Sequence, residues 1–369
     1  MSAAQIEIIV LASLTAGTCA LPGVFLVLRR MSLMSDAISH AILLGIVIAF
    51  FYTKSLSSPF LLLGAALVGV LTVTLTEGVV KTRKLKEDAA IGLVFPLLFS
   101  LGVILLSVYA HNVHLDTQCV LLGEIAFAPF DRVYWGNADM GPQAFWVMGA
   151  IMTVNLAFIS VFYKELKIST FDPDLAASLG FNPNLLHYAL MTLVSVTCVG
   201  AFQSVGSILV VALMITPPAA AYLLTDRLSH MMIFSGVIGV VSAVCGYFLA
   251  SWLDTNIAGS MAAMSGLIFL LVLIFAPERG LLARFLFRRW NKWTLGMETL
   301  VVHLLQSEVN QADLTENIIS HMKDHMLWDD DYTTEVIAQS LQERMIQKKG
   351  DQLILTPYGR ERAKNALIH

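Results

Sequence analysis

The chain has 369 residues, of which 57% are hydrophobic and only 14% charged, with a mean hydropathy of +0.73. Soluble domains carry about a quarter charged residues, so an ordinary water-soluble fold is excluded. The formal charge of −4 says little about a chain that lies mostly in lipid.

Nine apolar runs are long enough, or nearly so, to cross about 30 Å of hydrocarbon. They cover residues 6–28, 34–52, 60–80, 90–110, 144–163, 186–202, 204–224, 231–253 and 258–276. The predicted fold is an all-α polytopic membrane protein. The first run lacks a basic start and continues to residue 28 before its first charge cluster, so it reads as a retained span and not as a cleavable signal. The sixth and seventh runs all but abut at Gln203-Ser204.

The loops alternate in charge. One side collects Arg29, Arg30, Lys81, Arg83, Lys84, Lys86, Lys164, Lys167, Arg227, Arg279, Arg284, Arg288 and Arg289, and the other holds Lys54 and Arg132. This asymmetry puts the N-terminus outside and the C-terminal region in the cytoplasm, which agrees with an odd number of spans. The expected location is a cell membrane, inner or plasma. The outer segment 111–143 is aromatic around Trp135-Gly136 and suggests interfacial packing. His111 and His114 in it read as ordinary loop histidines.

The second run contains an ionisable pair, Asp36 and His40. At i and i+4 they share one helix face. Counted from Arg30 at about 1.5 Å per residue, Asp36 lies roughly 9 Å in and His40 roughly 15 Å in, near mid-bilayer. Ionisable groups at such depth usually face a cavity or pathway. Carboxylate oxygen plus imidazole nitrogen suits manganese, iron or zinc. The alternative is a hydrogen-bonded helix–helix contact.

Further along, Glu87 and Asp88 stand where the fourth span starts. They read as helix-end charges, with a pathway role for Asp88 as the weaker option. In "STFDPDLAASLGFNPN" (169–184), Asp172 is an N-cap, Pro173 and Asp174 open a short helix through Ala176, and Gly180 stops it. Such a helix on the cytoplasmic side can seat in a groove of another protein. Pro217 and Pro218 fall within the seventh span and are expected to bend or break it, bordering a pathway or forming a packing kink. Cys19, Cys119, Cys198 and Cys245 form no CxxC pair, which points to buried structural thiols. Phosphate-loop, HExxH and GxSxG motifs are absent from the sequence.

From about residue 290 the composition changes, with 8 basic against 12 acidic residues. The expected organisation is a membrane domain over 1–280, a linker over 281–296 and a small α+β domain over 297–369.

"PGVFLVLRRMSLMSDAISHAILLG", "EDAAIGLVFPLLFSLGVILLS", "FDPDLAASLGFNP" and "VGSILVVALMITPPAAA" together resemble the permease subunits of binding-protein-dependent ABC importers for manganese, zinc and iron. The resemblance spans about residues 6–280. It implies a permease core of two chains, either a homodimer or a pair with a related permease. Cytoplasmic ATP-binding subunits would drive it and an external metal-binding protein would feed it, so the chain itself would not be an enzyme. Asp36 and His40 match the pair that holds the metal in the path, and 172–180 matches the ATPase-contacting helix. No cofactor is implied beyond the transported metal, with manganese placed ahead of zinc and iron.

The tail, above all "LTPYGRERAKNALIH" (355–369), resembles the winged-helix part of metal-dependent repressors of the diphtheria-toxin-repressor type, with "KKGDQLIL" as the wing. Nucleic-acid binding usually needs a basic face, so this acidic tail is expected to dock a partner or regulate, not to bind nucleic acid. His321 and His325 read as surface helix positions. The alternative function is a membrane-anchored, metal-responsive regulator that uses this tail.

Overall fold

The structure, a computed structural model, describes residues 2–53, 59–109, 125–135, 138–309, 326, 328–350 and 352–367. Cys119, His111, His114, His321 and His325 lie outside these residues. The chain forms two compact units, Met1–Gly280 and Leu281–His369.

In the first unit the helices are α1 (Ala3–Leu28), α2 (Leu33–Thr53), α3 (Pro59–Lys81) and α4 (Glu87–Tyr109). A 3-10 turn (Ile125–Phe130) and a hairpin of β1 (Arg132–Trp135) and β2 (Ala138–Pro142) follow. Then come α5 (Gln143–Val161), α6 (Tyr163–Phe171), α7 (Pro173–Ser178), α8 (Pro183–Val205), α9 (Ser207–Leu224), α10 (Leu228–Leu253) and α11 (Ile257–Phe275). All but α6 and α7 are long and apolar enough to cross a membrane, giving nine candidate spans among the described residues. They coincide with the nine runs read from the sequence.

Helices that are apolar all round cannot sort themselves by a polar face, so close packing and polar contacts must specify their neighbours. Gly45 of α2 faces Gly64 and Ala65 of α3, where any side chain at 45 would strike backbone. Gly23 of α1 abuts the Met214 carbonyl and Pro218 of α9 in the same way. That carbonyl is the one Pro218 leaves without a helical donor, so α1 closes on α9 where the ladder is open.

Two expectations change here. α9 runs unbroken through Pro217 and Pro218, which are both buried. Packing against α1 holds the helix where the missing donors alone would favour a break. The boundary between the sixth and seventh spans lies at Gly206, not at Gln203-Ser204. Gly206 adopts φ 80°, a left-handed geometry open to glycine at little cost.

The β1–β2 hairpin was not anticipated from the sequence. Arg132 ties it down, with Nε 2.7 Å from Asp139 Oδ2 and Nη2 3.0 Å from Glu7 Oε1 at the start of α1. Cys19 and Cys198 are buried, as structural thiols should be, whereas Cys245 is only partly buried.

The second unit holds α12 (Leu281–Val309), α13 (Asp330–Gln342), a hairpin of β3 (Ile346–Lys349) and β4 (Gln352–Leu355), and α14 (Pro357–Ala366). Met297, Leu300, Val301, Leu304 and Leu305 form one stripe of α12 and pack with Val336, Ile346, Leu353 and Ala363. Residues 281–296, expected as a linker, are instead the first half of α12. The run lacks Gly and Pro until Gly296, so nothing in it stops a helix. The hairpin falls where a wing was expected, and Gly350 turns it with φ 69°.

Candidate functional site

The connection between α1 and α2 sets the position of the ionisable pair. Arg30 takes a left-handed φ of 63°, Met31 N donates to Leu26 O at 2.9 Å, and Met31 is buried. α2 therefore starts at Leu33, later than a count from Arg30 assumes. Asp36 is its fourth residue and His40 its eighth of 21. At about 1.5 Å per residue, His40 stands roughly 10 Å along the helix from its start.

His40 Nε2 lies 3.4 Å from Asp36 Oδ1, with the two side chains 31% and 40% exposed. The neighbours Ala37, Ile38, Ser39 and Ala41 are buried, so the pair occupies a half-open stripe of an otherwise packed helix. Phe95 and Phe99 of α4 flank the imidazole, with ring centroids at 5.9 and 6.0 Å. A carboxylate and an imidazole side by side, one side open and the other walled by aromatic rings, can take a cation in passing. Among the described residues one chain brings these two donors together here, and no group of three or more His, Cys, Asp or Glu side chains is poised for a metal.

The other expected residues lie apart from this pair. Asp88 is exposed in the first turn of α4 beside Glu87. No hydrogen bond or ion pair among the described residues joins it to Asp36 or His40. Asp172 Oδ1 accepts from Leu175 N at 2.9 Å, Pro173 is the first residue of α7, and Asp174 sits in its first turn. Ala176 is buried and Gly180 closes the turn with φ 88°. Around that cap, Phe171, Leu175 and Leu179 are 60%, 48% and 56% exposed. They leave apolar surface on both sides of the cap, Phe171 at the end of α6 and Leu175 and Leu179 in and just after α7.

Sequence reasoning passed over a second polar cluster, at the end of the unit where Arg29 lies. Arg29 bonds His187 Nδ1 at 2.9 Å, Ser169 Oγ at 3.1 Å and Thr170 Oγ1 at 3.2 Å. His187 Nε2 in turn lies against Glu77 Oε1. Burial pushes the Arg29 guanidinium down to about 10, so it stays charged at physiological pH. Glu77 and His187 each sit in a predicted apolar run, and treating every ionisable group in such a run as functional would have singled them out.

Residues 3–276 match the ABC 3 transport family. The chain belongs to that family. Over 353 residues it is 47% identical to the zinc transport system membrane protein TroD of Treponema pallidum, covering 96% of each chain. It is 50% identical over 267 residues to the manganese transport system membrane protein MntD of Bacillus subtilis, covering 72% of this chain and 90% of that one. Among solved structures, PsaBC from Streptococcus pneumoniae in complex with Fab matches with a TM-score of 0.63 and 29% identity, covering 76% of this chain and 94% of that one. The ABC 3 match stops at the end of the membrane unit, so it carries no statement about the tail.

Proposed function

We propose that this ABC 3 chain is the membrane subunit of an importer that moves a divalent transition metal inwards, with Asp36 and His40 as transient ligands. The observation that carries the reading is the 3.4 Å carboxylate–imidazole pair on the half-open stripe of α2. Manganese is the first candidate and zinc or iron the alternatives, in keeping with the zinc and manganese systems named for TroD and MntD. Two donors are fewer than the four or more that such ions take, so a second permease chain, identical or related, supplies the rest. The metal is cargo, and no resident cofactor is required.

The basic loops orient the chain with its N-terminus outside and α6–α7 in the cytoplasm. There the exposed apolar side chains of Phe171, Leu175 and Leu179, around the Asp172 cap and the Gly180 turn, dock a separate ATP-binding subunit that hydrolyses ATP. An external metal-binding protein delivers the ion on the opposite side. Asp88 lines the inner mouth of the path. Pro217 and Pro218, which leave two carbonyls of α9 without helical donors, mark where that helix flexes during the cycle. Among the described residues the tail carries α12, α13, the β3–β4 hairpin and α14, and the hairpin supports reading it as a winged-helix-like domain that serves docking or regulation.

Uptake of radioactive manganese by cells expressing the complete importer tests the site. Asp36→Ala and His40→Ala are each expected to lower uptake at least tenfold at unchanged membrane abundance. Normal uptake in both variants would remove the pair from the pathway.

A further inference from the structure

Four elements meet around the Arg29 guanidinium. Arg29 follows the last residue of α1, Ser169 and Thr170 lie in the last turn of α6, His187 is the fifth residue of α8, and Glu77 stands in the last turn but one of α3. Each nitrogen of the guanidinium has a partner at 2.9–3.2 Å. Arginine only donates, so His187 Nδ1 must accept. The ring hydrogen then sits on Nε2, facing Glu77. Arg29 and His187 thus donate in one direction towards the accepting Glu77, and Lys81 Nζ reaches Glu77 Oε2 at 3.8 Å from the next turn.

A carboxylate against an imidazole repeats the chemistry of Asp36 and His40, so a second cation site is the first reading to weigh. The guanidinium excludes it. It takes up the ring's one lone pair, on Nδ1, which leaves Nε2, the nitrogen facing Glu77, protonated and unable to bind a metal, and it fixes a positive charge close to the carboxylate. The cluster is a tie between helices.

The location of the tie gives it a consequence. Arg29 precedes Asp36 by seven residues, and those residues hold the left-handed Arg30, the buried Met31 and the first turn of α2. That connection has little slack, so the anchored Arg29 fixes where α2 begins and how Asp36 is presented. Thr170 precedes the Asp172 cap of α7 by two residues. At the other end of the tie, Glu77 belongs to α3, which meets α2 at the Gly45–Gly64 approach. Movement of α6–α7 therefore reaches α2 by two routes, through the α1–α2 turn and through α3.

We infer that Arg29, His187 and Glu77 are positioning residues that transmit displacement of α6–α7 to the metal-bearing helix, keeping metal movement coupled to ATP hydrolysis. This rests on the reading that α7 docks an ATPase. None of the three belongs to the Asp36–His40 pair.

The test is the complete importer in proteoliposomes, with manganese transported and ATP hydrolysed measured together. Arg29→Gln and Glu77→Gln are expected to keep at least half of the hydrolysis while metal moved per ATP falls tenfold or more. Arg29→Lys, which retains the charge and loses the fork, should fall between these variants and the wild type. The double variant should be no worse than either single one, because each breaks the same tie. Ser169→Ala with Thr170→Val removes only the link to α6, leaves the buried charges paired, and should lower the ratio in the same direction if the glutamine variants fail to fold. An unchanged ratio in a folded variant overturns the inference, as does a parallel loss of both activities. Wild-type importer that hydrolyses ATP without moving metal would instead overturn the reading of the chain as a metal importer subunit.

Discussion

Asn155 of α5 donates from Nδ2 to the carbonyl of Thr18 in α1 at 3.2 Å. Thr18 O is the acceptor that Pro22, four residues on, cannot reach because it has no N–H. The same amide donates to Thr197 Oγ1 of α8 at 3.0 Å. One fully buried side chain thus repairs the proline gap in α1 and joins three spans.

Asn155→Leu should therefore destabilise the protein by about 1–3 kcal/mol, the usual penalty for leaving buried polar groups unpaired. Thermal unfolding in detergent checks it. Pro22→Ala restores the N–H for Thr18 O, so Asn155→Leu should do less damage in that background. Equal penalties with and without Pro22 would mean that the amide is not repairing the gap.

The small residues make a parallel case. At Gly45 a side chain would meet the backbone of Gly64 and Ala65, which cannot swing aside as a side chain can. Gly45→Val should force α2 from α3, with a penalty of about 1–3 kcal/mol or more for overpacking. Leu43, half-buried on the same helix, serves as the comparison: Leu43→Val should stay folded by size-exclusion profile while Gly45→Val does not.

The spans, the Asp36–His40 pair on α2 and the capped α7 helix were legible because each rests on local signals, namely an apolar run, an i, i+4 spacing, and an Asp-Pro start with a Gly stop. The Asn155 bridge, the Arg29 tie and the unbroken α9 were not. Asn155 and Thr18 are far apart in sequence, as are Arg29 and His187, and only the fold brings them together. Pro217 and Pro218 carry a local signal for breaking a helix, and tertiary packing against Gly23 overrides it. Residues 281–296 differ in another way: the change of composition there suggests a linker, yet no helix-stopping residue occurs before Gly296 and the segment is helical.

The hairpin between α4 and α5 should respond to acid. A hydrogen bond from Arg132, helped by the Gly141 amide, holds the Asp139 carboxyl below the usual carboxylate range. A depressed folded value means that its stabilisation is fully present above the ordinary pKa of about 4 and fades as pH falls through the lower folded value. Arg132 shifts upward through Asp139 and Glu7 and stays protonated throughout. The melting difference between wild type and Asp139→Asn should be constant from pH 8 to pH 5 and vanish on further acidification. A difference that persists at pH 2 would show that Asp139 acts through its shape and not its charge.

The tail offers the sharpest choice between transport and gene regulation. In a winged helix that reads DNA, the helix before the wing presents basic and amide side chains to the groove. Here the exposed positions of α13 include Asp330, Asp331 and Glu335, and Glu343 caps its end, while the exposed lysines 348 and 349 lie on β3. Bringing four carboxylates against a phosphate backbone is repulsive, and two lysines release too few counterions to offset it. The isolated Leu281–His369 unit, which has its own core, should give no gel shift of random or promoter DNA up to about 10 µM in 150 mM salt, with or without manganese. Asp330→Lys, Asp331→Lys and Glu335→Lys together should create weak, salt-sensitive binding. A metal-dependent shift by the wild-type unit below about 1 µM would favour the regulator, since it is tighter than the usual non-specific range.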